Sequence, residues 1–134
     1  MLEQLSIKNL VVVEDLSAEF QDGMTVITGE TGAGKSIIVQ ALNLVSGGRS
    51  DATLVRHGKD KAEIVAMFQL GNNSNLLSFL ENCDLEDGEE CILRRVIGSD
   101  GRSRAYVNGS SVSLSKLREV GTKLIDMHGQ NEHQ

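Results

Sequence analysis

Residues 24–45 read MTVITGETGAGKSIIVQALNLV, a β-prone run, a glycine-rich segment and an apolar pattern of helical period in direct succession. Met24 to Thr28 suit a short strand, and Ile37, Ile38, Ala41, Leu42 and Val45 recur as one face of a helix. Between them, Gly29-Glu30-Thr31-Gly32-Ala33-Gly34-Lys35-Ser36 satisfies G-x-x-x-x-G-K-S/T at every position. The motif stands in the context of strand, loop and helix that gives it meaning.

The residue types state the chemistry. Glycines at 29, 32 and 34 let the backbone bend so that successive N–H groups point at phosphate oxygens, which larger side chains would obstruct. A helix opening near Lys35 adds its positive dipole end. Lys35 reaches the β and γ phosphates as a mobile point charge, and the Ser36 hydroxyl suits a Mg²⁺ ion bridging the same phosphates. The eight residues Gly29, Glu30, Thr31, Gly32, Ala33, Gly34, Lys35 and Ser36 are therefore expected to hold a nucleotide, with Lys35 required for binding or turnover.

Upstream, Leu5 and Ile7, then Leu16, Ala18 and Phe20, alternate with polar residues, which predicts two half-buried strands within residues 2–20 before the Gln21-Asp22-Gly23 turn. Downstream, Gly47-Gly48 ends the helix. Ile64, Ala66, Phe68 and Leu70 alternate again, and Leu76, Leu77, Phe79 and Leu80 predict a short helix entered through Ser74. Residues 91–97 and 103–107 form a predicted hairpin around Gly98-Ser99-Asp100-Gly101, and Asn108-Gly109 marks a second turn. Leu114, Leu117 and Val120 share a helix face with Ser113 as cap and Gly121 as stop, leaving Lys123 to Met127 as a short strand or helix end.

The whole-chain figures narrow the class. With 134 residues, 40% of them hydrophobic, three Phe, one Tyr and no Trp, the chain holds one modest aliphatic core. The net charge of −6 argues against a surface that clings everywhere to nucleic acid, while leaving room for a local basic face. Arg94, Arg95, Arg102 and Arg104 lie on one predicted hairpin and read either as a basic strip or as solvated strand charges. Cys83 and Cys91 are separated by seven residues, lack C-x-x-C spacing and read as reduced, inert thiols. His128 and His133 are five apart, without metal-ligand spacing on a helical turn, so no metal site is expected there. No apolar run is long enough for a bilayer and the start MLEQLSIKNL is not of signal-peptide type, so a cytoplasmic location with no membrane partner is expected.

The opening stretch LEQLSIKNLVVVEDLSAEFQDGMTVITGETGAGKS resembles the ABC-type ATPase heads of the SMC group of chromosome and repair proteins. ALNLVSGGRSDATLVRHG, ILRRVIGSDGRSRAYVNGSSV and LIDMHGQNEHQ extend the likeness, toward a bacterial repair branch of that group, over essentially all 134 residues. The resemblance implies an α/β P-loop fold, an amino-terminal lobe with a mixed sheet and an antiparallel β portion, and ATP with Mg²⁺ as ligands. It also implies that Gln130 is the Q-loop glutamine that ligates Mg²⁺ and positions attacking water, with Gln134 as the alternative, and that Arg49 lies near the nucleotide. Residues 1–134 then read as a fragment lacking the coiled coil and the carboxy-terminal lobe, which carry the Walker B carboxylates and the signature motif. The implied partners are that lobe, a second head in a homodimer, and DNA on the nucleoid, with turnover by the lone chain slight or absent.

Two rival readings follow from the residues. Leu124-Ile125-Asp126-Met127-His128-Gly129-Gln130 also fits the strand and D-x-x-G-Q of a Ras-like GTPase, although about 90 residues separate it from Lys35 and no N-K-x-D occurs. Alternatively, the chain serves as a non-catalytic, nucleotide-binding assembly module that exposes apolar surface for a missing half.

Overall fold

The computed structural model describes residues 1–21, 24–29 and 34–132, with backbone alone at 24, 34, 35 and 127–132. The order is β1 (Leu2–Leu10), β2 (Val13–Gln21), β3 (Met24–Gly29), α1 (Gly34–Val45), a 3-10 turn (Ala52–Leu54), β4 (Lys61–Gln69), α2 (Ser74–Asn82), β5 (Glu90–Gly98), β6 (Ser103–Val107), β7 (Ser110–Val112) and α3 (Leu114–Glu132). The strands form one seven-stranded sheet in the order β3-β2-β1-β4-β5-β6-β7.

The α/β arrangement and the antiparallel portion match expectation, but the mixed sheet needs correction. Every pairing between these strands is antiparallel. A parallel neighbour for β3 requires a crossover that returns to its outer edge. After α1 the chain instead enters β4, which pairs with β1 on the far side of the first hairpin.

Alternation sets the core. Leu5, Ile7, Leu10, Leu16, Ala18, Ile64, Ala66, Leu93 and Ile97 point to one buried layer, joined there by Ile37, Ala41 and Leu44 of α1 and by Leu117, Val120 and Leu124 of α3. Each large aliphatic side chain removed from water in this way contributes about 1.5–3 kcal/mol. Leu76 and Leu80 bring α2 into the same core.

Local signals explain most of the element ends. Asn108 and Gly109 both take positive φ, 49° and 85°, as the two-residue β6–β7 turn demands. Ser113 caps α3, its Oγ accepting from Lys116 N at 3.0 Å. The cap of α2 is Asn73 rather than Ser74, since its side chain accepts from Leu76 N at 3.1 Å. Gly121 does not stop α3, which continues to Glu132. A Cβ at Gly121 would lie 2.8 Å from the Ser46 Cα, so this glycine serves a close crossing between α3 and the end of α1.

Candidate functional site

β3 delivers the chain to the glycine-rich segment at Gly29, which pairs with Leu16 and has φ +115°. A Cβ there would stand 2.5 Å from the Asp15 carbonyl oxygen and 3.1 Å from the Leu16 Cα. Glycine is thus required twice, by its backbone angle and by the neighbouring strand. Glu30, Thr31, Gly32 and Ala33 lie outside the described residues. The chain resumes at Gly34, the first residue of α1, which puts the Lys35 and Ser36 backbone in the first turn with the Ser36 side chain exposed. No acidic residue occupies that first turn, so among the described residues no carboxylate stands on the helix at its positive dipole end.

The opposite end of α1 is tightly closed. Gly48 N donates to Asn43 O at 2.8 Å and Gly47 N to Leu44 O at 3.1 Å, with Gly47 at φ +107°, which is a Schellman cap. Two arginines from other elements complete it. Arg95 of β5 donates through Nη1 to the carbonyls of Leu44, at 2.7 Å, and Gly48, and through Nη2 to Ser50 Oγ at 2.9 Å and Ser103 Oγ at 3.4 Å. Arg118 of α3 donates to Gly47 O through Nε at 3.3 Å and Nη2 at 3.2 Å. Both place positive charge at the negative end of the helix. Arg95 is 1% exposed and its Nε has no partner. Burial first, and the Arg118 charge second, lower its pKa from the ordinary guanidinium value.

The predicted arginine strip is therefore divided. Arg94 and Arg104 are on the outer sheet face beside Tyr106, whereas Arg95 faces the core. Arg94 binds Glu63, with Nη2 and Nε at 2.6 and 2.7 Å from Oε2, and its guanidinium lies 4.8 Å from the Tyr106 ring centre. Arg102 at the hairpin tip faces Asp100 at 3.9 Å. Asp60, Asp100 and Glu63 so offset much of the charge of Lys61, Arg94, Arg102 and Arg104, which favours solvated strand charges over a basic strip. Sequence reasoning missed the inward role of Arg95, although the signal was present: it takes the third inward place in the alternation Cys91, Leu93, Arg95, Ile97.

Helix α3 changes the setting of the other proposed residues. Asp126 and Gln130 both lie on helical backbone, so no strand leads into D-x-x-G-Q and the GTPase arrangement is absent. Gln130 likewise follows no strand, while its side chain, and the whole of Gln134, lie outside the described residues. Arg49 is exposed, in the loop between α1 and the 3-10 turn. Both thiols are free, Cys91 being buried. No described helix is long and apolar enough to cross a membrane.

Away from the phosphate motif, an apolar cavity of about 450 Å³ opens beside the last turn of α1, bounded by Leu2, Phe20, Leu42, Val45, Phe68 and Ile125. β3 has a strand on one side only among those described, and Val26 on it is 51% exposed.

Residues 4–132 match the AAA domain family. The chain is 54% identical over 134 residues to the DNA repair protein RecN of Vibrio cholerae and 44% identical over 135 residues to that of Bacillus subtilis. All of this chain is covered in both cases, against 24% and 23% of those relatives. Among solved structures it is similar to one from work on ATP-driven dimerization and DNA-stimulated activation of SMC ATPases, with a TM-score of 0.72 and 25% identity over 92% of this chain and 79% of that one. The recombination mediator protein RecF shares the fold, with a TM-score of 0.61 at 19% identity over 87% of this chain and 30% of that one. The chain belongs to the AAA domain family and, on a fold shared with SMC heads, matches the amino-terminal quarter of the DNA repair protein RecN.

Proposed function

We propose that residues 1–134 form the ATP-binding amino-terminal lobe of a RecN-like, SMC-type ATPase that acts in DNA double-strand break repair and recombination, in the cytoplasm on the nucleoid. The observation that carries this reading is the junction at which β3 ends on Gly29, with positive φ and no room for a side chain, and α1 opens at Gly34 with no acidic residue in its first turn. Backbone N–H groups of residues 29–36 would hold the phosphates, Lys35 would supply the mobile charge, and Ser36 would turn its hydroxyl to Mg²⁺. The exposed first-turn hydroxyl of Ser36 fits that ion, whose bound charge would offset that of the β and γ phosphates. Gln130 is the proposed second oxygen ligand and water-positioning residue, and Arg49 the proposed arginine beside the nucleotide.

The chain spans about a quarter of the length of the curated relatives it matches. The open edge of β3 and the apolar cavity beside α1 support a docking role toward a carboxy-terminal lobe of the same protein. ATP turnover then belongs to the complete protein with two heads paired as a homodimer and DNA as the partner acted upon, and the lone lobe binds nucleotide with negligible turnover.

The test is binding of fluorescent ATP and GTP analogues with Mg²⁺ to this chain and to Lys35→Ala, with phosphate release followed in parallel. Adenine-selective binding that the substitution abolishes, with negligible phosphate release, is the expected result. Intrinsic GTP hydrolysis by the chain would overturn it.

A further inference from the structure

The apolar cavity lies between the far ends of the two elements that bracket the phosphate motif. Thr25 near the start of β3 lines it, as do Leu42 and Val45 near the end of α1, Phe20 of β2 and Ile125 of α3. With their opposite ends, Gly29 and Gly34, the same strand and the same helix meet the glycine-rich segment. Thr25 and Gly29 are four residues apart, about 13 Å of strand.

The two elements are held unequally. The last turn of α1 is fastened by Arg95 on the Leu44 carbonyl at 2.7 Å and by Arg118 on that of Gly47. Among the described residues β3 pairs with β2 alone, and Thr25 is exposed. A group wedged into the cavity therefore braces an edge strand against a fixed helix, and with the strand it steadies Gly29, the first residue of the phosphate motif.

The lining selects the kind of group. It includes no charged side chain, and its Ser46 hydroxyl is turned away to the Leu42 carbonyl at 2.7 Å. Its volume of about 450 Å³ is about three times that of the roughly 150 Å³ apolar cavity that takes up one benzene ring, so it suits several apolar side chains together. Ile125 is 51% exposed while lining it, a large apolar side chain that α3 leaves in water. The chain spans about a quarter of the length of the relatives it matches, and the cavity adjoins the open strand edge assigned above to the carboxy-terminal lobe.

We propose that apolar side chains of the carboxy-terminal lobe fill this cavity and that their entry is coupled to nucleotide binding at residues 29–36, each raising the affinity of the other. The coupling rests on the two-lobe, ATP-binding reading given above. It is reciprocal, so that whatever factor the docked lobe adds to nucleotide affinity the nucleotide returns to docking.

Binding of a fluorescent, non-hydrolysable ATP analogue with Mg²⁺, measured in the full-length protein and in residues 1–134, tests this, with a thermal melt for each variant. Ile125→Glu, which sets a carboxylate at the cavity, is expected to weaken binding about tenfold in the full-length protein and to leave binding by residues 1–134 unchanged, where there is no second lobe to exclude. Ile125→Leu should keep parental affinity in both. Ser111→Glu, an equal charge on β7 at the other edge of the sheet, is the control and should also match the parent. Hydrogen exchange at residues 25–28 should be slow in the full-length protein and fast both in its Ile125→Glu variant and in residues 1–134. An Ile125→Glu effect of equal size in both proteins, no effect in either, or rapid exchange of β3 in the full-length parent would each overturn the proposal. So would a dimer of residues 1–134 that Ile125→Glu dissociates in sedimentation, because the occupant is then a second copy of this chain. Lys35→Ala separates the two readings: if it binds the analogue as tightly as the parent, the nucleotide reading fails and the coupling with it, while exchange at β3 still reports whether the second lobe covers the cavity.

Discussion

Gly29 and Arg95 occupy one transverse row of the sheet, the register running from Gly29 through Leu16, Ile7 and Ile64 to Arg95. Four strand spacings separate them, about 19 Å at the usual interval. α1, with its 12 residues, is about 18 Å long. It starts just beyond the phosphate-motif glycine and ends at the guanidinium, so the helix that carries Lys35 and Ser36 crosses the sheet and is fastened at its far end by Arg95.

Arg94 and Arg95, adjacent in sequence, should differ sharply in stability effect. Arg94→Ala removes a half-exposed ion pair with Glu63 and a contact with Tyr106, so the loss should stay under about 1 kcal/mol. Arg95→Met keeps the volume but leaves the Gly48 carbonyl and the Ser50 hydroxyl without their buried donor, with an expected loss of about 2–4 kcal/mol. Urea unfolding of the two variants checks the contrast. Equal midpoints would show that the clamp contributes nothing to the lobe.

The alternation of Leu5, Ile7 and Leu16, the β5–β6 hairpin and the junction at Gly29 were legible because each is written in local chemistry: period, turn residues and a glycine motif in order. Gly121 and Arg95 were read less well for the opposite reason. Their roles depend on what lies across the core, Ser46 in one case and the end of α1 in the other, and both neighbours are more than 40 residues away in the chain. Gly121 accordingly looked like a helix stop, and Arg95 like one more surface charge. The antiparallel pairing of β4 with β1 was hidden too, since strand order is a long-range property that alternation leaves open.

Gly121→Ala should reverse the usual sign of a helix substitution. In an open helix interior, alanine is favoured over glycine by roughly 1 kcal/mol. Here the new methyl would meet the Ser46 Cα and Cβ at 2.8 Å, and backbone cannot move aside as a flexible side-chain tip would. Forcing α3 away from α1 also disturbs the contacts of Leu117 and Leu124, so a net loss of about 1–3 kcal/mol is expected. Thermal unfolding measures it, and a variant with a raised midpoint would show that the crossing relaxes without strain.

Asn108 separates backbone from side-chain effects. Its φ of 49° suits glycine as well, but its Oδ1 accepts from Ile92 N at 2.8 Å and its Nδ2 donates to Leu85 O at 2.7 Å, tying the β6–β7 turn to β5 and to the segment after α2. Asn108→Gly should therefore keep the turn and lose about 1–3 kcal/mol, while Asn108→Ala should lose more by adding strain at positive φ. Chemical denaturation of both variants checks the order. If Asn108→Gly matches the parent, water replaces both bonds at no loss.

Cys91 makes stability fall in alkaline solution. Burial pushes its thiol from an ordinary value of 9.0 to about 12. Between those values the folded chain keeps the proton and the unfolded chain releases it, so stability is complete below about pH 9 and declines as pH rises toward 12. The slope from this one group is at most about 1.4 kcal/mol per pH unit. Cys91→Ala should begin less stable, having lost a buried sulfur, yet decline less steeply than the parent between pH 9 and 11, a difference that cancels the shared titration of Lys and Tyr. Iodoacetamide at pH 8 should correspondingly label Cys83, which is partly exposed, and spare Cys91 until urea unfolds the chain. Mass spectrometry reads the labelling, and rapid modification of Cys91 in the native chain, together with parallel alkaline slopes, would mean that the β5 end of the core opens to solvent far below the global unfolding free energy.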